Sequence, residues 1–170
     1  MSIEFVYRRV KKANWTRIQK DPEKALTFLF EGLVGGATRN SVEIGKDWHA
    51  LHFLLTGSPS EDPEHSPDDP LSNVVMGGHA TNVEATYGPV RCLEPSEVKA
   101  IARELKNISV RELRARFSAK AFNDEEIYPN PDPGGWSRRE VESVFSVFPK
   151  LVRFFNKAAA AGEVVLIYAA

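Results

Sequence analysis

Lys46 to Gly57 reads KDWHALHFLLTG, and the packing of this stretch decides the fold. At about 100° per residue it is apolar on nearly every side. Trp48, Leu51 and Leu55 share one line, and Ala50, Phe53 and Leu54 continue around it. The remaining narrow sector carries His49, His52 and Thr56. A helix this apolar belongs in a core, and imidazoles there must be satisfied or put to use. The stretch therefore predicts a buried central helix whose polar stripe is either closed over as structure or faces a pocket.

The rest of the chain is consistent with one domain around that helix. Its 170 residues are 42% hydrophobic, enough for a sizeable core. With 22 basic against 23 acidic residues, net −1, the composition gives no sign of a nucleic-acid groove or a membrane-surface patch. No apolar run approaches the roughly 20 residues of a membrane span. The amino terminus, MSIEFVYRRVKK, lacks the pattern of a secretory signal. A single cysteine, Cys92, excludes an intramolecular disulfide, so a cytoplasmic, reducing location is expected.

Four strands are predicted: Ser2 to Val10, Val74 to His79 (VVMGGH), Thr86 to Leu93 (TYGPVRCL) and the buried Val164 to Tyr168 (VVLIY). Asn14 to Gln19 reads as a weak helical turn. Asp21-Pro22 starts a helix that Gly35-Gly36 stops. Pro95 opens another, with Val98, Ile101, Ala102 and Leu105 on one face, and Ser109 with Glu112 forms a capping box for a short helix reaching Phe117. Ser137 and Glu140 form a further box before a long apolar helix that ends at Gly162. Pro149 is expected to kink that helix or to start a new one. Two proline-rich loops, 58–73 and 123–136, interrupt the order. Without a regular βαβ alternation this is an α+β fold, with a small mixed sheet of about four strands packed with several helices.

The blocks KDWHALHFLLTG, Pro70-Leu71 leading to Gly77-Gly78, Tyr87-Gly88-Pro89-Val90-Arg91, Glu94-Pro95-Ser96-Glu97-Val98 and Ile127-Tyr128-Pro129, with the closing helix-Gly-strand, occur in that order. Together they resemble the bacterial YfbM-like family of domains of unknown function, over nearly the whole chain. The resemblance implies a single-domain α+β protein of a bacterium. It implies no activity, cofactor or catalytic residue. It marks Lys46, Trp48, His52, Thr56 and Gly57 as family-typical positions.

Candidate pocket residues are Lys46, Trp48, His49, His52, Thr56, His79, Tyr87 and Tyr128. His49-x-x-His52 puts two imidazoles about one helical turn apart, within reach of one metal ion, with His79, His65 or a loop acid as a third ligand. The stronger helical zinc signature has His-Glu-x-x-His, so no metal and no cofactor is expected, with the His49/His52 pair as the weaker alternative. The favoured reading makes His52 a buried, hydrogen-bonded structural residue and puts His49 near the surface. Gly77-Gly78 reads as a turn or bulge and not as a phosphate site, and Cys92 as an inward-facing, inert thiol. The acids Glu61, Asp62, Glu64, Asp68 and Asp69 read as a solvated loop and not as a calcium cage.

Two functional classes follow. One is a non-enzymatic binding or interaction domain, regulatory or immunity-type, with a protein partner and neither nucleic acid nor membrane. The other is a small hydrolase-like enzyme using His49 and His52 as acid–base or metal groups. Oligomeric state is open.

Overall fold

The computed structural model describes residues 2–31, 39–60 and 68–170. Its frame is a five-stranded sheet in the order β2-β1-β5-β4-β3. The strands are β1 (Phe5–Val10), β2 (Ser41–Gly45), β3 (His79–Ala85), β4 (Gly88–Leu93) and β5 (Val164–Ala169). The α+β expectation holds, with two adjustments to the sheet. There are five strands where about four were expected, and all pairings are antiparallel and not mixed. Two of the five went unpredicted: β2, whose Val42 and Ile44 point inward and alternate with the exposed Glu43, and β3, which begins only where the strand expected at Val74 to His79 was to end.

β5 lies at the centre, and all of its residues are buried, because helices cover both faces of the sheet. On one face Val6, Val10, Leu166, Tyr168, Val90 and Cys92 meet α1 (Lys12–Ile18) through Trp15 and α2 (Pro22–Glu31) through Ala25 and Leu29. On the other, Phe5, Tyr7, Val165, Ile167 and Leu93 meet a larger helical layer. That layer holds α3 (Trp48–Thr56), α4 (Asn73–Met76), α5 (Pro95–Lys106), α6 (Val110–Arg116), α7 (Ala119–Asp124) and α8 (Glu142–Ala161). Two tyrosines tie the layers together. Tyr7 donates its hydroxyl to the Val74 carbonyl at 2.8 Å, and Tyr168 donates to the Leu29 carbonyl at 3.0 Å on the opposite face.

Local signals account for several boundaries. In α6 the Ser109 hydroxyl accepts from Glu112 N–H at 3.1 Å, and the Glu112 carboxylate accepts from Ser109 N–H at 3.0 Å, so the capping box forms as predicted. Asp21 accepts from Lys24 N–H at 3.3 Å ahead of α2. The Gly35-Gly36 stop lies outside the described residues.

Three expectations need correction. Val74 and Val75 are not in a strand. They lie in α4 and are fully buried, because packing beneath α3 overrides their β-branched preference. Asp69 sets up that turn by accepting from Leu71 N–H and the Ser72 hydroxyl. Pro149 lies inside a helix that runs unbroken from Glu142 to Ala161, so it starts no new one. Ser137 accepts from Glu140 N–H at 3.3 Å, but this closes a turn, and α8 begins only at Glu142.

Candidate functional site

The α3 helix is buried along almost its entire length, His49 and His52 included, at 6% and 5% exposure. His49 is therefore not near the surface. Its Nδ1 accepts from the Tyr128 backbone N–H at 2.9 Å. That leaves the proton on Nε2, which donates to the Pro59 carbonyl at 2.8 Å. The ring is a neutral cross-link between α3 and two loops. Trp48 packs against it with centroids 5.2 Å apart, and stacks on Phe5 at 5.0 Å and on Tyr128 at 5.3 Å. Trp48 Nε1 donates to the Ile3 carbonyl, and the Tyr128 hydroxyl accepts from Ile3 N–H. Trp48, His49 and Tyr128 thus form one cluster, and it anchors the chain just before β1.

His52 is buried differently. Among the described residues its Nδ1 has no hydrogen-bond partner. Burial is the main influence on the ring and holds its pKa below the usual histidine value. An interaction with the Ser60 backbone opposes that shift. Thr56 donates to the His52 carbonyl at 2.8 Å and accepts from Ser58 N–H at 3.1 Å, so it closes the last turn of α3. Gly57 follows in the left-handed conformation, φ 71°, where glycine is the natural C-terminal residue. Arg116 donates to the Leu54 carbonyl at that same end.

The low folded-state pKa of His52 gives stability a pH dependence. A depressed pKa makes the unfolded chain the better proton acceptor. The contribution is present above the unfolded value of about 6.5 and is lost as pH falls through the folded value. Urea midpoints should fall as pH is lowered from about 7 to 5, and the fall should be shallower in His52→Gln. Parallel pH profiles for the two proteins would remove His52 as the cause.

The remaining candidates lie elsewhere. Lys46 is exposed and lines a shallow groove of about 420 Å³ with Asp47, Asn130, Asp132 and Ser143. Burial raises the Asp47 carboxyl above its usual value, and a hydrogen bond with Ser143 opposes this. Tyr87 is the one exposed large hydrophobic residue among the described residues, at 38%. His79 is exposed at the start of β3 and lies beside Cys92 and Glu94, not with the α3 stripe. Cys92 faces inward, and burial pushes its thiol up to about 12. Of the acidic loop, Glu61, Asp62 and Glu64 lie outside the described residues, as does His65.

Sequence reasoning missed one surface. Arg39, Lys150, Arg153 and Lys157 line a cavity of about 400 Å³ between β2 and α8, with Ser41, Glu43 and the side chains of Val42 and Phe154. The four cations form no ion pair among the described residues. Lys150, Arg153 and Lys157 follow a helical period on the outer face of α8, a signal visible in the sequence. Its neighbour β2 gives no comparable signal.

Similarity to known proteins adds a family to this geometry. The sequence profile of a family described as "Domain of unknown function (DUF1877)" matches residues 1–168. Protein YfbM of Escherichia coli (strain K12) is 34% identical over 113 residues, which make up 66% of this chain and 65% of that protein, just under two thirds of its length. The crystal structure of a protein of unknown function, YfbM from Escherichia coli, matches with a TM-score of 0.68 at 26% identity. That match covers 98% of this chain and 99% of that one.

Proposed function

Because the chain belongs to the DUF1877 family of domains of unknown function, the names of its relatives supply no reaction, and we propose from its own residues that it is a non-enzymatic binding domain of the regulatory or immunity type. One observation carries this reading. The cavity between β2 and α8 gathers four cations and one carboxylate on a chain whose net charge is −1. Such local concentration of one sign steers and holds a partner of the opposite sign. The matching partner is a protein presenting an acidic segment. Phe154 and Val42 give the cavity an apolar floor, and the cations form its rim. That division of labour is common at protein interfaces.

The hydrolase reading needs a histidine with a free nitrogen at a solvent-reachable position. Both nitrogens of His49 are held by backbone groups, and His52, whose Nδ1 is unpartnered among the described residues, is only 5% exposed, so the α3 stripe lends that reading no support.

The test reverses charge on the groove. Lys150→Glu/Arg153→Glu lies on exposed positions and should leave folding intact. Affinity capture from host lysate, read by mass spectrometry, should yield one stoichiometric partner for the wild type and lose it for the double variant. A labelled Glu/Asp-rich peptide should bind the wild type in a salt-sensitive way and bind the variant at least about tenfold more weakly. An unchanged capture set would defeat the proposal, as would a preference of the groove for single-stranded DNA over the peptide.

A further inference from the structure

We propose that His79, Cys92 and Glu94 form a binding site for one zinc-like divalent cation, at the edge of the sheet away from the cationic groove and independent of it. One ligand atom from each of the three residues lies within 4.8 Å of the other two. His79 and Cys92 are cross-strand partners in the β3–β4 ladder, so their side chains leave the same face of the sheet. Glu94 follows directly after β4 and occupies the N-cap of α5. An imidazole, a thiolate and a carboxylate make a mixed nitrogen, sulfur and oxygen set, which suits zinc better than calcium or magnesium.

The spacing is close to what a metal requires. Zinc bond lengths of roughly 2.0 to 2.3 Å in a tetrahedral arrangement put neighbouring ligand atoms about 3.3–3.7 Å apart. Closing from 4.8 Å is a matter of side-chain rotation. His79 is exposed and has room to turn toward the buried sulfur, whereas half-buried Glu94 must give up the contact by which its carboxylate caps the Glu97 N–H of α5. The backbone beneath His79 is held in place. Arg91 donates Nε to the Gly77 carbonyl at 3.0 Å and Nη2 to the Gly78 carbonyl at 2.5 Å. Three protein ligands leave the fourth position to water, on the solvent side where His79 stands. Coordination removes the S–H proton of Cys92 and passes it to solvent.

A competitor for Glu94 is already present. Lys12 Nζ lies 2.6 Å from the Glu94 carboxylate, and the lysine side chain is 60% exposed. A cation bound at Glu94 displaces this lysine, which costs little because exposed ion pairs contribute little.

The test uses protein made without a histidine tag and stripped with a chelator. Added Co²⁺ should saturate at one equivalent with a thiolate-to-cobalt charge-transfer band, and Zn²⁺ should displace it. His79→Ala, at an exposed position, should keep the wild-type circular dichroism and bind at least about tenfold more weakly. Cys92→Ser should lose the band. Lys12→Met, which frees Glu94, should bind a few-fold tighter. No saturable band in the wild type overturns the site, as does a wild-type titration in His79→Ala. Unchanged affinity in Lys12→Met removes Glu94 from the ligand set.

Discussion

His49→Ala should lower the unfolding free energy by about 2–4 kcal/mol, a large share of the roughly 5–15 kcal/mol of an ordinary domain. The truncation removes more than a contact. It leaves the Tyr128 N–H and the Pro59 carbonyl facing the space the ring occupied. A fully buried orphan would cost about 1–3 kcal/mol; both of these bonds are part-buried, so water recovers a share of that. Alanine also withdraws the face on which Trp48 packs at 5.2 Å. Shape-conserving variants separate the two bonds. His49→Asn keeps an acceptor where Nδ1 stands, and His49→Gln keeps a donor that reaches toward Pro59. Each should recover part of the loss, and neither all of it. Urea unfolding monitored by circular dichroism is the measurement. An alanine variant within a few tenths of a kcal/mol of wild type would show that the ring links nothing of consequence.

This role could not be read from the sequence, and the reason is physical. The partners of His49 are backbone atoms, one of them 79 residues away along the chain, and a backbone N–H has no residue-type signature. The apolar faces of α3 were legible because they follow from a helical period alone. The α6 capping box was legible for a similar reason: its bonds span three residues. β5 was legible because it is apolar on both faces. Val74 and Val75 misled because their packing beneath α3 is tertiary, and their β-branched side chains argue for a strand only when nothing else decides. β2 went unseen because only Val42 and Ile44 signal it. The cationic row of α8 was legible as a helical face, but its meaning depends on the strand beside it. The His79–Cys92 pairing waited on the register of β3 and β4.

The second large effect is expected at Gly78, and it bears on the cation site as well as on the fold. Gly78 has φ +76°, and a Cβ there would meet the Cys92 carbonyl oxygen at 2.3 Å and its carbon at 2.6 Å. Two costs therefore combine in Gly78→Ala. The left-handed backbone costs an L residue roughly 1–2 kcal/mol. Overpacking against backbone that cannot rotate away adds about 1–3 kcal/mol. The sum, about 2–5 kcal/mol, can be divided by a control. Gly57 has φ +71° with no atom within 4 Å of an added Cβ, so Gly57→Ala should show only the backbone cost. If the two variants lose equal stability in urea, the collision with Cys92 is relieved at no cost and the close approach is not a constraint. If Gly78→Ala loses more, the turn is what seats β3 against β4. A folded Gly78→Ala protein should then bind Co²⁺ more weakly than wild type, with all three ligands intact, because relief of the collision moves His79 away from the sulfur. Gly57→Ala, at the end of α3, should leave that binding unchanged.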